Sequence, residues 1–566
     1  MVTAGSSSLL LDEAFAAGDE RFLVELLAST ASKKLKAIGD PWYGDVRPFA
    51  RRMLHRYIDD GCDRPGHRPL VKALFKLAEL NDDHETMGHF LVAFDRLVKR
   101  TVSKGEVWDD EADDVVPSVR ITEDRSVPEK VGNHDTKAAR FSQRTRRYLR
   151  RRAFRFFRNL GKRDPARYGA AIRAALALYQ DAHLDTPSQI LDAWGLIHAL
   201  YWGSEVFERE PRGVRVAPGR SLAELVPAPF CPEAWGGAFD ALLELVEKAG
   251  SRTVRVFTIG VLQRDYAAAL RSVKVTRIKG LLKSQHDEVQ IFAAQLLQTA
   301  SGIEALTVED WLSLLRIDNV TALPLICGMV VKHLLPARLT LAQCVELACA
   351  RPAPVAEVGL RWTKQKPING AADLIAVLGL SRAEAPKVRE EAITWVVGLL
   401  ETTKGARAEH VRELFDARHA NVRALGLALF VRAERYRENM LLWAALSESP
   451  YDDVRAFLVR HLKERESIFE PETLRHVWVT ILLGVHRGGK SRRAALRQIA
   501  ERVARRPAEA SSLLPLLGIA LRSVRPSERR TALAAVGRAA FLTPRLRAAI
   551  QRELPELTLE SGEVAA

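Results

Sequence analysis

The run "LFDARHANVRALGLALFVR" (414–432) is echoed 32 residues later by "LSESPYDDVRAFLVRHLKE" (446–464). Each stretch closes one apolar helix, turns on a polar segment carrying Asp or Asn, and opens a second helix with Val and a basic residue. "LLKSQHDEVQIFAAQLLQ" (281–298) and "KVREEAITWVVGLL" (387–400) follow the same plan. The repeated valine stands at 289, 388, 422 and 454; the last three are 34 and 32 apart, and the first gap of 99 is about three units. Self-similarity at this period marks an array of helical hairpins. One hairpin cannot bury its apolar face alone, so neighbours must stack. Amphipathic helices continue from about 137 to 555, which predicts an all-α fold.

One stretch argues for a different fold. "GVHRGGKS" (484–491) fits Gly-x-x-x-x-Gly-Lys-Ser, with Gly484, Gly489, Lys490 and Ser491 in register. In nucleotide hydrolases that loop follows a strand and cradles phosphates. Such enzymes also need a downstream acid to hold magnesium, and residues 491–566 contain no aspartate. Laid under 446–464, Arg492-Arg493-Ala494 falls where Val454-Arg455-Ala456 falls, 38 residues on. The glycines then belong to an inter-helix turn, with Gly488 or Gly489 closing a helix in the left-handed conformation, and "HVWVTILL" is helical. No nucleotide is expected at Gly484–Ser491.

The turn carrying Asp or Asn followed by Val-Arg resembles the HEAT and armadillo superfamily, over about 250–550 and more weakly over 140–250. "PAPFCPEAW" (227–235) and "VELACARPAPVAEVGLRW" (345–362) are also similar to stretches of large uncharacterised bacterial HEAT-like proteins. The resemblance implies a right-handed α-solenoid used as a binding scaffold, and it brings no activity with it.

The composition is that of an ordinary globular chain, 47% hydrophobic and 27% charged over 566 residues. Five scattered cysteines do not make a disulfide framework, so a reducing cytoplasm is the default. The start "MVTAGSSSLLLDEAF" lacks the basic opening of a signal peptide. No apolar run approaches ~20 residues, so no membrane span is expected. The net charge of +15 is uneven: residues 1–136 carry 19 Lys+Arg against 25 Asp+Glu, a balance of −6, leaving +21 for the rest. A basic body with an acidic front points to an anionic partner.

The chain reads as an N-terminal helical region (1–100), an acidic loop or insertion (101–136) with room for a short hairpin, a solenoid (137–555) and a disordered tail (556–566). A second irregular stretch spans about 207–234. "HETMGH" (84–89) resembles a zinc motif, but His84 and His89 are five apart and fall on different sides of a helix. "CDRPGH" (Cys62, His67) has no second ligand pair. No metal, cofactor or catalytic residue is assigned. In "WGLIHALYW" (194–202), Trp194, His198 and Trp202 share one helical face, which reads as core aromatic packing or as a stacking surface. HEAT-like DNA glycosylases use aromatics with an aspartate, and Asp192 lies close by in sequence, but no motif of that family is present.

The strongest functional signal is "RFSQRTRRYLRRRAFRFFRNLGKR" (140–163). At 100° per residue, Arg144, Arg147, Arg151, Arg155, Arg158 and Lys162 fall within about 80° of arc. Tyr148, Leu149, Ala153, Phe156, Phe157 and Leu160 are placed on the opposite side. The outer face is an arginine ladder with no acid between the cations. Like charges three and four apart cost a few tenths of a kcal/mol each, a cost that phosphates would relieve through bidentate pairing. The alternative is an acidic protein surface, including this chain's own "DDEADD" (109–114). A second basic region holds Lys490, Arg492 and Arg493, which with Arg529 are expected to line up with Arg423 and Arg455 in a row tracking a nucleic-acid backbone. The sequence therefore predicts a non-catalytic scaffold for a DNA or RNA backbone, with a protein–protein scaffold as the second reading.

Overall fold

A computed structural model describes the chain except residues 1–5, 97–99, 110–112, 124–142, 185–186, 211–212, 466–469, 484–488 and 559–566. The described residues are overwhelmingly helical, with two small two-stranded sheets. They fall into two compact units, Met1–Ala305 and Leu306–Ala566.

In the second unit the repeats form two layers, built from the apolar stripes that the sequence repeats. One layer runs Leu341–Ala348, Ala371–Leu378, Ala408–Phe415, Met440–Glu448, Pro471–Leu483 and Ala510–Leu521, each helix touching the next. The other runs Ala353–Lys364, Pro386–Thr402, Ala420–Arg432, Asp452–Arg465, Gly489–Arg505 and Pro526–Leu542. The two layers enclose one continuous core from Val345 to Leu554, against which Leu557 also packs. The valines Val388, Val422 and Val454 are all buried in it. This is an α-solenoid of stacked helical hairpins.

"HVWVTILL" lies inside Pro471–Leu483, so a helix and not a strand precedes the phosphate-loop match. Gly484–Gly488 lie outside the described residues. Gly489 opens the next helix instead of closing the previous one. Arg492 is the fourth residue of that helix, as Arg455 is of its own. The repeat register is therefore 37 residues, not 38; the buried Leu458, Val459 and Leu462 recur as Ala495, Leu496 and Ile499.

The first unit is organised around the helix His84–Arg96, whose residues Thr86–Asp95 are all buried. It packs against the helices Pro48–Asp59, Arg68–Leu80, Gln143–Arg163, Pro165–Ala177 and Trp194–Tyr201. A helix apolar around its circumference must be surrounded; "MGHFLVAF" supplies that circumference. His84 and His89 serve separate contacts: His84 meets Arg167, while His89 donates from Nδ1 to Asp59 at 2.9 Å and stacks on His55.

The segment read as a loop or insertion with room for a short hairpin contains a two-stranded ribbon. Strand β1 (Arg100–Asp109) pairs antiparallel with β2 (Asp114–Glu123), Asp109 opposite Asp114. The β-branched density of "DVVPSVRITE" suits a strand, and a two-stranded ribbon tolerates Pro117 because both strands are edges. Residues 110–112 of the acidic run and 124–136 lie outside the described residues. Within 207–234, β3 (Phe207–Glu210) and β4 (Gly213–Val216) form a second hairpin.

Candidate functional site

The arginine helix forms over Gln143–Arg163. Its packing differs from the sequence expectation at three residues. Tyr148 is exposed, because four residues at 100° place it only about 40° from Arg144 and beside the ladder. Arg146 and Arg150 lie about 200° and 240° round, on the apolar side, and both are buried. Arg150 is accommodated by two partners. Its guanidinium carbon lies 3.8 Å from the ring centre of Trp194, and its Nη1 donates to the Asp192 carbonyl at 3.0 Å.

Of the ladder, Arg151, Arg155 and Lys162 are exposed and Arg147 and Arg158 half-buried. Arg144 lies in the helix; its side chain is outside the described residues. Arg163, next to Lys162, pairs with Asp82 at 2.8 Å, and Arg152 pairs with Glu79. Arg155 and Arg158 have no carboxylate partner among the described residues.

The helix Trp194–Tyr201 brings its aromatics to these arginines. Its start is fixed by Asp95 of the central helix, whose carboxylate accepts from the Gly195 and Leu196 N–H groups at 2.9 and 3.2 Å and from the Tyr179 hydroxyl at 2.7 Å. An anion at a helix N-terminus satisfies donors that have no partner within the helix. Burial pushes the Asp95 carboxyl up to about 6, against the opposing pull of Arg150 and these donors. Gly195 is required there: a Cβ would lie 2.6 Å from Leu91 Cδ1 and 2.9 Å from Asp95 Oδ2.

The two elements and the β3–β4 hairpin enclose a cleft of about 290 Å³. Arg151, Arg155, Arg158 and Arg209 bring cations to its wall; Trp194, Trp202, His198 and Phe154 bring rings. Arg209, from β3, lies 4.1 Å from the Trp202 ring centre, and Arg158 lies 5.7 Å from it. Arg209 too has no carboxylate partner among the described residues. Among the described residues Glu210 is the only acid lining the cleft, and Arg215 holds it across the hairpin at 3.2 Å. Both indoles remain half-buried. They are therefore not sealed core, which is the ordinary reading of their spacing.

His198 is buried, 3% exposed, between Phe154, Trp202 and Phe230, at ring-centre distances of 4.0, 4.5 and 4.6 Å. Phe230 reaches it because Gly161 leaves room: a Cβ there would lie 2.6 Å from the Phe230 ring. Burial, and then the charges of Arg158 and Arg209, hold His198 neutral, well below its ordinary range. Its buried Nε2 has no hydrogen-bond partner among the described residues.

The second basic region does not form the expected row. Arg423 and Arg455 are buried. In three second-layer helices the fourth residue folds back to the carbonyl six residues earlier: Arg389 to Ala383 at 2.9 Å, Arg423 to Ala417 and Arg455 to Ser449 at 2.8 Å. In the first unit, Arg255 reaches Ala249 and Gln290 reaches Ser284 in the same way. Several also pair with an acid of the following repeat: Arg255 with Glu288 at 2.6 Å, Arg423 with Asp453 at 2.9 Å, Arg492 with Glu528 at 3.0 Å. These arginines join repeats. Lys490 and Arg493 remain exposed, as does Arg529 of the last long helix.

Sequence reasoning named Arg151, Arg155, Arg158, Trp194, His198 and Trp202, but on two unrelated helices. It missed Arg209, Phe154 and the β3–β4 hairpin. Phe154 sits about 280° round from Arg144, at the ladder's margin, and that was the available signal.

The fold and cleft define a class, an all-α solenoid protein with a cationic, aromatic cleft. No family model matches the chain, and no curated protein sequence matches it. Among solved structures, it is similar to that of Kap121p bound to Pho4p, at 11% identity and a TM-score of 0.20. The match covers 97% of this chain and 64% of that one, so the chain spans less than two thirds of its length. At that score the likeness identifies neither a family nor a partner. No helix among the described residues is long and apolar enough to cross a membrane.

Proposed function

We propose that this protein is a non-catalytic binding scaffold that engages a nucleic-acid backbone through the cleft of its first unit. The observation that carries the reading is the convergence of Arg155, Arg158 and Arg209, without carboxylate partners among the described residues, on a wall that also bears two half-exposed indoles. Guanidinium groups take phosphates bidentately, and indoles stack on bases irrespective of sequence. An acidic protein surface would use the cations and leave the rings idle. Lys162 is exposed on the same helix and would add a backbone contact; Lys490 and Arg493 of the second unit are exposed and stand as a separate candidate for backbone contact. Arg492 is engaged with Glu528 and contributes to the repeat joint. A glycosylase reading finds little support: Asp192 is buried and does not line the cleft.

A protein partner is favoured at one other place. Leu533 and Phe541 of the helix Pro526–Leu542 lie about 80° apart round the helix and are exposed, Phe541 at 80%, a face suited to a protein contact.

The test is fluorescence anisotropy with labelled 30-mer DNA and RNA across a salt series, for the wild-type chain and an R155E/R158E/R209E variant. The expected result is tight binding at low salt with a steep negative slope of log K on log salt, the slope reduced by about 2–3 in the variant. No binding at low salt, or equal slopes, would overturn the reading.

A further inference from the structure

The cleft carries more than a backbone contact requires. Phosphates need cations; they need neither two indoles nor a neutral imidazole. Trp194 is backed by the buried Arg150 at 3.8 Å and stands half-exposed on the wall. Trp202, eight residues on along the same helical face, has the Arg209 guanidinium 4.1 Å from its ring centre. Between them in sequence, His198, 3% exposed, is packed behind the wall against Phe154, Trp202 and Phe230 and supports the Trp202 ring. The volume, about 290 Å³, sits at the lower edge of small-molecule clefts. It admits one flat ring with its sugar phosphate and is far too small for a stacked base pair. Arg151 and Arg155 rise about 6 Å apart along the helix, comparable with successive phosphates of an extended single strand.

We infer that the cleft takes one unpaired nucleobase of a single strand, stacked on the indole wall, with the flanking phosphates on Arg155, Arg158 and Arg209. This deepens the proposed function and rests on it. A double helix offers phosphates but no free base, so the inference separates single-stranded from double-stranded partners. Glu210, at the rim, is an acceptor within the lining for an amino group on the base edge.

The experiment uses the full wild-type chain and three probes: a labelled single-stranded thymidine 12-mer, a 12-mer of the same charge with abasic sites throughout, and adenosine monophosphate as competitor. Stacking of one base predicts that the abasic strand binds about 5-fold or more weakly. Equal affinity for the two strands would overturn the base site and leave the phosphate reading standing. Binding of neither strand would overturn both. Competition by the free nucleotide at the 12-mer's own dissociation constant would place a nucleotide, not a strand, in the cleft and contradict the inference as stated. A Trp202→Phe variant, with its melting temperature measured alongside, is expected to keep most of the discrimination, and Trp202→Ala to lose it. A Trp202→Ala variant that melts normally and still discriminates would take the base off that wall.

Discussion

His67 shows how polar side chains are used inside this protein. Its ring lies fully buried between two partners: the Ser29 carbonyl must accept, so Nε2 carries the proton, and the Tyr57 hydroxyl donates to Nδ1 at 2.8 Å. Charging the ring would remove that acceptor. Burial therefore holds His67 at about 4, and His55, stacked on His89, also at about 4. A histidine with a depressed folded value adds stability that is complete above its ordinary value of 6.5 and is lost as pH falls towards 4. Taking pH from 7 to 5 is expected to remove roughly 2 kcal/mol for each of the two. Asp95 runs the other way: its raised value of about 6 makes its contribution complete below 3.8 and lost as pH rises through 6. It returns only about 1 kcal/mol over the same interval. Urea titrations at pH 7 and 5 should show a net loss of a few kcal/mol, and unchanged stability would contradict the assignment of these rings as neutral. The sequence shows "CDRPGH" only as a weak ligand pattern; Tyr57 and Ser29, ten and 38 residues away, give His67 its role.

Helical elements carry the repeat signal, and their joints explain its most regular feature. The Val-Arg that opens second-layer helices couples a buried valine to an arginine that spans the turn behind it and, in several repeats, the repeat ahead. In Arg423 one guanidinium meets the Ala417 and Arg418 carbonyls and both oxygens of Asp453. Replacing Arg423 by Ala leaves those acceptors unpaired and is expected to cost about 2–4 kcal/mol in thermal or urea unfolding. Arg423→Lys should recover less than half, because an ammonium cannot supply the planar fork; full recovery by Lys would show that charge alone matters. Pattern and spacing made these arginines visible in the sequence, but not their direction, since a charged residue on an amphipathic helix usually faces water. The arginine helix failed for a related reason. Its ladder was legible from 100° periodicity, yet the same geometry puts Arg146 and Arg150 on the buried side and Tyr148 on the exposed one. A chain so rich in arginine hides the two that point inward, of which Arg150 is met by a tryptophan ring and a carbonyl. The two β hairpins were weak in the sequence because short ribbons have no long periodic pattern to read.

At the scale of the molecule, the all-α array was legible because it depends on a pattern summed over many units, whereas the cleft depends on a meeting of elements. Arg155 and Trp202 are 47 residues apart, and nothing local says that they face each other. Asp95 sets the start of the tryptophan helix, Gly161 admits Phe230, and the β3–β4 hairpin adds Arg209; each contribution is tertiary. Among the described residues, Glu79 and Asp82 of the acidic front pair with Arg152 and Arg163 at one side of the arginine helix, whereas Arg155, Arg158 and Arg209 at the cleft have no carboxylate partner. The central claim is that this cleft is where the anionic partner sits. The direct measurement is photocrosslinking of the full chain to a single-stranded 12-mer bearing 4-thiothymidine, with the attached peptides read by mass spectrometry. The account predicts crosslinks within 143–163, 194–202 and 207–216, suppressed by R155E/R158E/R209E. Crosslinks confined to other segments, or unchanged by that variant, would contradict it.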